Sequence, residues 1–290
     1  MSTHRLKSYR PSGKIDISLS WKLVLSLLFI IALSFVGSSL VQAVQVSYLG
    51  SIVFLIQVTV TGFVAGLLVR WGHIRNIGIA ILCGGLLGLT ALYFSWIFSL
   101  PKILATIGIE TSSEILLKNP GLTLSYIAQS AQEYSMSFVT IEFRHWLLKA
   151  VWLAEVVIVI IYPIYKTYQI SNSVVFCEAC HEWVEKQPGL VGFYHSDEQQ
   201  LKTQFLTADY DFMDQAEAIF NVPMKDYYCV DGEVCVGCND FFILSLRLMK
   251  KATDQDKAKR FSLTEKLVVA RPYFQHFLLL TNQFPAPEEE

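Results

Sequence analysis

Between Leu23 and Ser99 the chain carries only two ionised side chains, Arg70 and Arg75. Three apolar runs fill this interval, and nothing else in the sequence constrains the fold as strongly. A helix needs about 20 apolar residues to cross the hydrocarbon layer of a membrane, and within that layer each backbone polar group must be satisfied inside the protein. The runs cover residues 23–44, 48–69 and 77–99. A fourth, at 147–168, is less clean because it holds Lys149, Glu155 and Lys166. The whole chain is 17% charged, against about 25% in an average globular protein. The deficit is concentrated in these runs, as expected where burying a charge in lipid is costly.

Lys and Arg in the connections predict the orientation. Residues 1–22 carry Arg5, Lys7, Arg10, Lys14 and Lys22 against Asp16 alone. The connection at 45–47 is uncharged, Arg70 and Arg75 make the next one basic, and 100–146 has three Lys/Arg against four Glu. The alternation predicts a multi-pass protein of the plasma (inner) membrane. Its N-terminal arm, 70–76 loop and C-terminal domain lie in the cytoplasm, and 100–146 lies outside. Trp21, Trp71, Trp96, Trp146 and Tyr168 flank the runs, where interfacial aromatics belong. The first run also reads as a signal peptide ending at Val41-Gln42-Ala43. A second apolar run follows within a few residues, so the chain stays in the membrane either way, and the expectation is an uncleaved helix.

In the outer loop, Thr111 and Glu114 have capping-box spacing before an apolar run, and Asn119-Pro120 breaks it. A second helical pattern runs over 122–134. Gly62-x-x-x-Gly66 and Gly84-x-x-x-Gly88 predict close helix contacts, either within the bundle or between copies of the chain in a homo-oligomer. Glu155 is an intramembrane carboxylate, and so a candidate functional residue. It is either an ion or proton site, or a protonated group bonded to another helix, with Gln57, Thr59 and Thr61 as candidate partners.

The C-terminal part holds two Cys-x-x-Cys pairs, Cys177/Cys180 and Cys235/Cys238. Two such pairs are the usual means of building a closed tetrahedral site. Gly237, inside the second pair, is expected to take a positive φ in a tight turn. The eight knuckle positions resemble the zinc-ribbon and rubredoxin-like class of four-cysteine sites. That resemblance implies a structural Zn2+ held by Cys177, Cys180, Cys235 and Cys238. The 54 residues from His181 to Val234 exceed a simple ribbon and must hold elements of their own. Residues 196–220 read as a helix capped by Ser196 and Gln199, with Leu201, Phe205, Phe212, Ala216 and Phe220 on one face; Asn221-Val222-Pro223 ends it. The runs at 241–248 and 261–277, around a polar turn at 252–259, are helices or strands.

Other readings of the thiols are a redox pair, an iron site with the same ligands, and a c-type haem, since Cys177-Glu-Ala-Cys180-His181 matches that attachment motif. Cys229 is either a substitute ligand or a buried free thiol, and Cys83 is packing. His195 and His276 have no spaced partner. No nucleophile elbow, phosphate loop, dinucleotide fingerprint or metalloprotease helix motif occurs. Four thiolates also leave no open position for activated water.

Residues 169–290 carry 11 Lys/Arg against 19 Asp/Glu, a net of −8, which argues against nucleic acid as a partner. The expected fold is a multi-span α-helical membrane protein with four transmembrane helices, followed by a cytoplasmic α+β zinc-ribbon-like domain. In order these are a basic arm (1–22), the membrane domain (23–168), the four-cysteine domain (169–284) and a disordered acidic tail (285–290). The expected function is a membrane adaptor or regulatory protein whose zinc domain docks a protein partner. The alternatives are a transporter or channel subunit working through Glu155, and a membrane-bound thiol redox enzyme.

Overall fold

The computed structural model describes residues 6–44, 49–106, 108–133, 137–138, 141–142, 145–209, 212–213, 216–218, 226–250, 259–264 and 266–281. The tail at 285–290, the break at 221–223 and most of the polar turn at 252–259 lie outside these residues. The chain divides into two units, one formed by Ser12–Ser173 and the other by Met1–Pro11 together with Val174–Glu290. A two-residue strand, β1 (Lys7–Ser8), opens the chain and belongs to the second unit.

The first unit is helical: α1 (Leu19–Val44), α2 (Leu49–Trp71), α3 (Ile77–Thr106), α4 (Ser113–Lys118), α5 (Pro120–Glu133), a short hairpin of β2 (Ser137–Phe138) and β3 (Ile141–Glu142), and α6 (His145–Ser173). Helices α1, α2, α3 and α6 are long and apolar enough to cross a membrane. Helices α1 and α6 each pack against both α2 and α3. The glycine motifs of α2 and α3 both face α6. A Cβ on Gly84 would lie 2.9 Å from the Pro163 carbonyl oxygen, and one on Gly88 2.7 Å from that of Val159. The Val159 carbonyl is free to face Gly88 because Pro163, inside α6, has no N–H to donate back to it. Gly62 receives the Tyr162 ring and Gly66 the Ile170 side chain. The small residues thus serve packing within one bundle.

Helix α3 continues past Ser99 with Pro101 inside it, which leaves the Ile97 carbonyl without its helical donor. The Ser113 hydroxyl, in the first turn of α4, donates to that carbonyl at 3.0 Å. Leu116 of α4 is buried with Ile97, Leu100 and Leu104, so α4 folds back on the end of α3. The N-cap of α4 is Ser112, which accepts from Ile115 N–H at 3.4 Å; the expected Thr111 cap is one residue early. Ser113→Ala is expected to destabilise the helical unit by about 1 kcal/mol, the value of one hydrogen bond. Thermal unfolding in detergent checks it, and an unchanged midpoint would mean that another donor reaches Ile97.

The residues proposed as partners of Glu155 are engaged elsewhere. Gln57 Nε2 donates to Ser34 Oγ at 2.9 Å and Ser95 Oγ at 2.5 Å. The Thr59 and Thr61 hydroxyls donate to the Leu55 and Gln57 carbonyls of their own helix. The N-terminal arm is also shorter than 1–22. Lys22 lies in the first turns of α1, where its buried ammonium donates to the Trp71 carbonyl at 2.6 Å, capping the end of α2, and to Ser18 Oγ at 2.7 Å.

Among the described residues the second unit holds a main sheet, a separate two-stranded hairpin and two helices. After β4 (Phe176–Cys177) and β5 (Glu182–Trp183) come β6 (Glu185–Tyr194), α7 (Glu198–Thr207), β7 (Glu217–Ala218), β8 (Tyr227–Val234), β9 (Phe242–Lys250), β10 (Lys259–Ser262), β11 (Leu267–Val269) and α8 (Arg271–Leu280). The main sheet is antiparallel in the order β1-β11-β9-β8-β6-β7, with β10 also paired to β9. Period-two alternation sends Phe242, Leu244, Leu246 and Leu248 of β9 to one face. There they meet Val191, Phe193, Tyr228 and Val230, covered by Leu201 and Phe205 of α7 and Phe274 and Phe277 of α8. Burying each of these large side chains stabilises the domain by about 1.5–3 kcal/mol. On the other face, buried Asp231 pairs with Arg247 and accepts from Gly189 N–H at 2.9 Å. Gly189, at φ 67°, sits in the β6 bulge between Gln187 and Val191.

The helix expected over 196–220 is cut to ten residues. Its cap is Asp197, whose carboxylate accepts from the Gln199 and Gln200 N–H groups, in place of Ser196. Ala208 then turns left-handed at φ 58° and ends it. Phe212 still reaches the core, from beyond the helix. The undecided runs resolve into strand β9 for the first, and into β10, β11 and α8 for the second.

Candidate metal centre

Each Cys-x-x-Cys pair sits at the turn of a β-hairpin. In the first, β4 and β5 pair through Phe176 with Trp183 and Cys177 with Glu182, and Val184 N–H donates to the Val175 carbonyl at 2.9 Å. The Phe176 and Trp183 rings meet edge to face at 5.0 Å. In the second, which joins β8 to β9, Cys235 N–H donates to the Phe241 carbonyl at 3.1 Å and Asn239 N–H to the Cys235 carbonyl at 2.9 Å. The two knuckles share one backbone device. The residue after the second cysteine is left-handed in both, His181 at φ 57° and Asn239 at φ 48°. Asn and His tolerate this region better than most residues.

Gly237 does not take the positive φ expected of it; Asn239 does. Glycine is needed at 237 for room, since a Cβ there would lie 3.0 Å from Glu182 Oε2 and 3.1 Å from Cys180 Sγ. Any side chain would press on Cys180 of the opposite knuckle.

The Sγ atoms of Cys177, Cys180, Cys235 and Cys238 all lie within 4.8 Å of one another. Cys177 Sγ and Cys238 Sγ are 3.7 Å apart, far beyond a disulfide bond of about 2.05 Å. The spacing matches the edge of a sulfur tetrahedron around a metal with bonds of about 2.3 Å, which is about 3.8 Å. Each knuckle supplies one buried thiol, Cys177 or Cys235, and one half-buried, Cys180 or Cys238. An all-sulfur set suits zinc or iron and is wrong for the hard ions magnesium and calcium.

Burial pushes the Cys177 thiol up, and drives Cys180 well above the ordinary thiol range. The Asp240 backbone N–H holds Cys238 down to about 7. Two thiolates at 3.7 Å would repel by about 4 kcal/mol at an effective dielectric of 20. A bound divalent cation offsets that repulsion and lets all four thiols ionise.

Among the described residues this is the one grouping of three or more potential metal-ligating side chains. Cys229 is buried on β8 opposite Gly192 and Arg247 and takes no part. His181 is exposed and outside the group. The thiols of the haem-like motif converge on Cys235 and Cys238, and neither pair stands at a helix N-terminus as a thioredoxin-like pair would. Glu155 of α6 is half-buried, and no hydrogen bond or ion pair involves its carboxylate among the described residues; the Lys149 side chain is not among these.

Two residues beside the site gave no sequence signal. Tyr9 Oη accepts the Phe176 N–H at 3.1 Å, and Arg271 donates to the Asn239 carbonyl at 2.6 Å. Both are far from the cysteines they serve, and no motif links them. Comparison with protein-family models, curated proteins and solved structures gives no match to this chain.

Proposed function

We propose that the protein is a membrane-anchored adaptor or regulatory component. In this reading four helices cross the plasma membrane with both ends in the cytoplasm. The strand-rich domain, organised around a structural zinc ion on Cys177, Cys180, Cys235 and Cys238, docks a protein partner. The convergence of four thiols on one point carries the reading. A closed four-sulfur shell orders a domain and has no position for substrate or activated water. Zinc is favoured among soft ions because it is redox-inert and tetrahedral, and a reducing cytoplasm keeps its ligands as thiols.

The sidedness is supported by the pairing of β1 with β11. One sheet cannot be shared across a bilayer. A first and a last strand paired in one sheet support a reading with both ends on one side, as an even number of crossings would give. The Lys/Arg pattern of the connections then favours the cytoplasm.

The test is affinity capture by the full chain in lipid nanodiscs, from cells of its own source, with wild type beside Cys177→Ser/Cys235→Ser. The expected result is a protein retained by the wild type and lost from the variant. Equal retention by both, or catalytic turnover with no such partner, would reject the adaptor reading.

A further inference from the structure

The chain passes between its two units twice, from Pro11 to Ser12 and from Ser173 to Val174. Within the strand-rich unit, one side chain fastens these two passing segments together. Tyr9 Oη accepts the N–H of Phe176 at 3.1 Å, one residue before Cys177. The Tyr9 ring meets Phe241 edge to face at 6.3 Å, and the Phe241 carbonyl is the one that accepts from Cys235 N–H. Tyr9 therefore touches the first knuckle with its hydroxyl and the second with its ring. Its own backbone is anchored apart from either: Tyr9 N–H donates to the Lys266 carbonyl at 2.7 Å, and Leu6 N–H to the Leu206 carbonyl at 2.9 Å.

We infer that Tyr9 is a positioning residue of the metal centre, so that metal binding and docking of the strap at residues 6–9 form one coupled equilibrium. The inference rests on the metal reading above. The β4–β5 hairpin has two residues in each strand, too few to be stable alone. Tyr9 bridges it to the second knuckle, accepting Phe176 N–H with its hydroxyl and meeting Phe241 with its ring. Ligands already held at the tetrahedral spacing bind metal more tightly, because less ordering remains to be done on binding. Coupling of this kind is reciprocal: if the strap tightens the metal, the metal tightens the strap by the same factor. The strap leads within ten residues to α1, which begins at Leu19.

The experiment uses the full chain in detergent, as wild type, Tyr9→Phe and Tyr9→Ala. Zinc affinity is read by competition with a chromophoric chelator, and exchange at the Leu6 and Tyr9 amides by hydrogen–deuterium mass spectrometry with and without zinc. Wild type is expected to hold one zinc per chain. Tyr9→Phe should weaken binding about tenfold and Tyr9→Ala about a hundredfold, within the usual range of coupling. Zinc removal from wild type should speed strap exchange at least about tenfold and leave β8 protected. Tyr9→Phe keeps the ring, so the test stands even if Tyr9→Ala fails to fold. Unchanged zinc affinity in Tyr9→Phe, or strap exchange blind to zinc in a wild type that binds it, would overturn the coupling and leave the metal reading intact. A wild type that binds no zinc would overturn both.

Discussion

Cys177→Ser combined with Cys235→Ser is expected to take the metal content from about one ion per chain to none, and to melt the first knuckle while sparing the sheet. These two positions hold the buried thiol of each pair, at 3% and 1% exposure. A serine hydroxyl stays neutral near pH 7 and is a poor replacement for a thiolate. A structural zinc site contributes about 10–16 kcal/mol of apparent binding energy, as much as or more than the whole stability of a typical domain. The loss is nevertheless local, because the two hairpins have different means of support. The first has two-residue strands and, on the metal reading, would lean on the ion, Tyr9 and the Phe176–Trp183 contact. The second is the turn between strands of eight and nine residues, whose inner faces lie in an aromatic core. Elemental mass spectrometry of the purified full chain reads the metal, and hydrogen exchange reads the knuckles. The expected pattern is fast exchange over residues 174–184 with β8 and β9 still protected. Full metal retention in the double variant would sink the four-thiol site. Global loss of protection would show that the sheet cannot stand without the ion.

The site was legible because its signal is local. Two Cys-x-x-Cys pairs state the donor set and the turn in four residues each, and both hairpins form around them as the spacing implies. The four apolar helices were legible for the same reason, since length and hydropathy are properties of contiguous sequence. What was missed depends on pairs distant in sequence or on competition between near-equal local options. Gly237 reads as a conformational glycine, but its reason is Cys180 across the site. Asp197 outcompetes Ser196 as cap by accepting two N–H groups. The apolar face drawn through Phe212 and Ala216 marks burial correctly and helix incorrectly, because a core position looks the same from either side of a helix end. The basic arm conceals a strand, since Lys7 and Ser8 carry no β signal and pair with β11 only because Val268 and Leu267 are opposite them.

In the helical unit the largest single effect is expected from Gly88→Ala, and a graded series of glycine substitutions isolates its cause. In a membrane, lipid would give these helices no hydrophobic reason to associate, and α3 and α6 would be held by close packing and weak polar contacts. At Gly88 the added methyl would meet backbone, 2.7 Å from Val159 O and 3.0 Å from Ile160 Cα, and backbone in a packed helix cannot step aside. Pro163 sharpens the effect, because the same Val159 carbonyl has lost its helical donor and is exposed to the intruding methyl. At Gly66 the methyl would meet the end of the Ile170 side chain at 2.5 Å, which can rotate away. At Gly85 the nearest atom is 3.7 Å distant, an ordinary contact, and alanine adds helix propensity of up to about 1 kcal/mol. Denaturation in mixed detergent should therefore leave Gly85→Ala at or slightly above wild type and lower Gly66→Ala modestly. Gly88→Ala should fall by about 3 kcal/mol or more, at or beyond the upper end of ordinary overpacking. Gly84→Ala, facing Pro163 O and Thr167 Oγ1 at 2.9 and 2.7 Å, should behave like Gly88→Ala. If Gly88→Ala and Gly85→Ala unfold alike, the α3–α6 contact is not the close backbone approach described, and the small-residue spacing has some other cause.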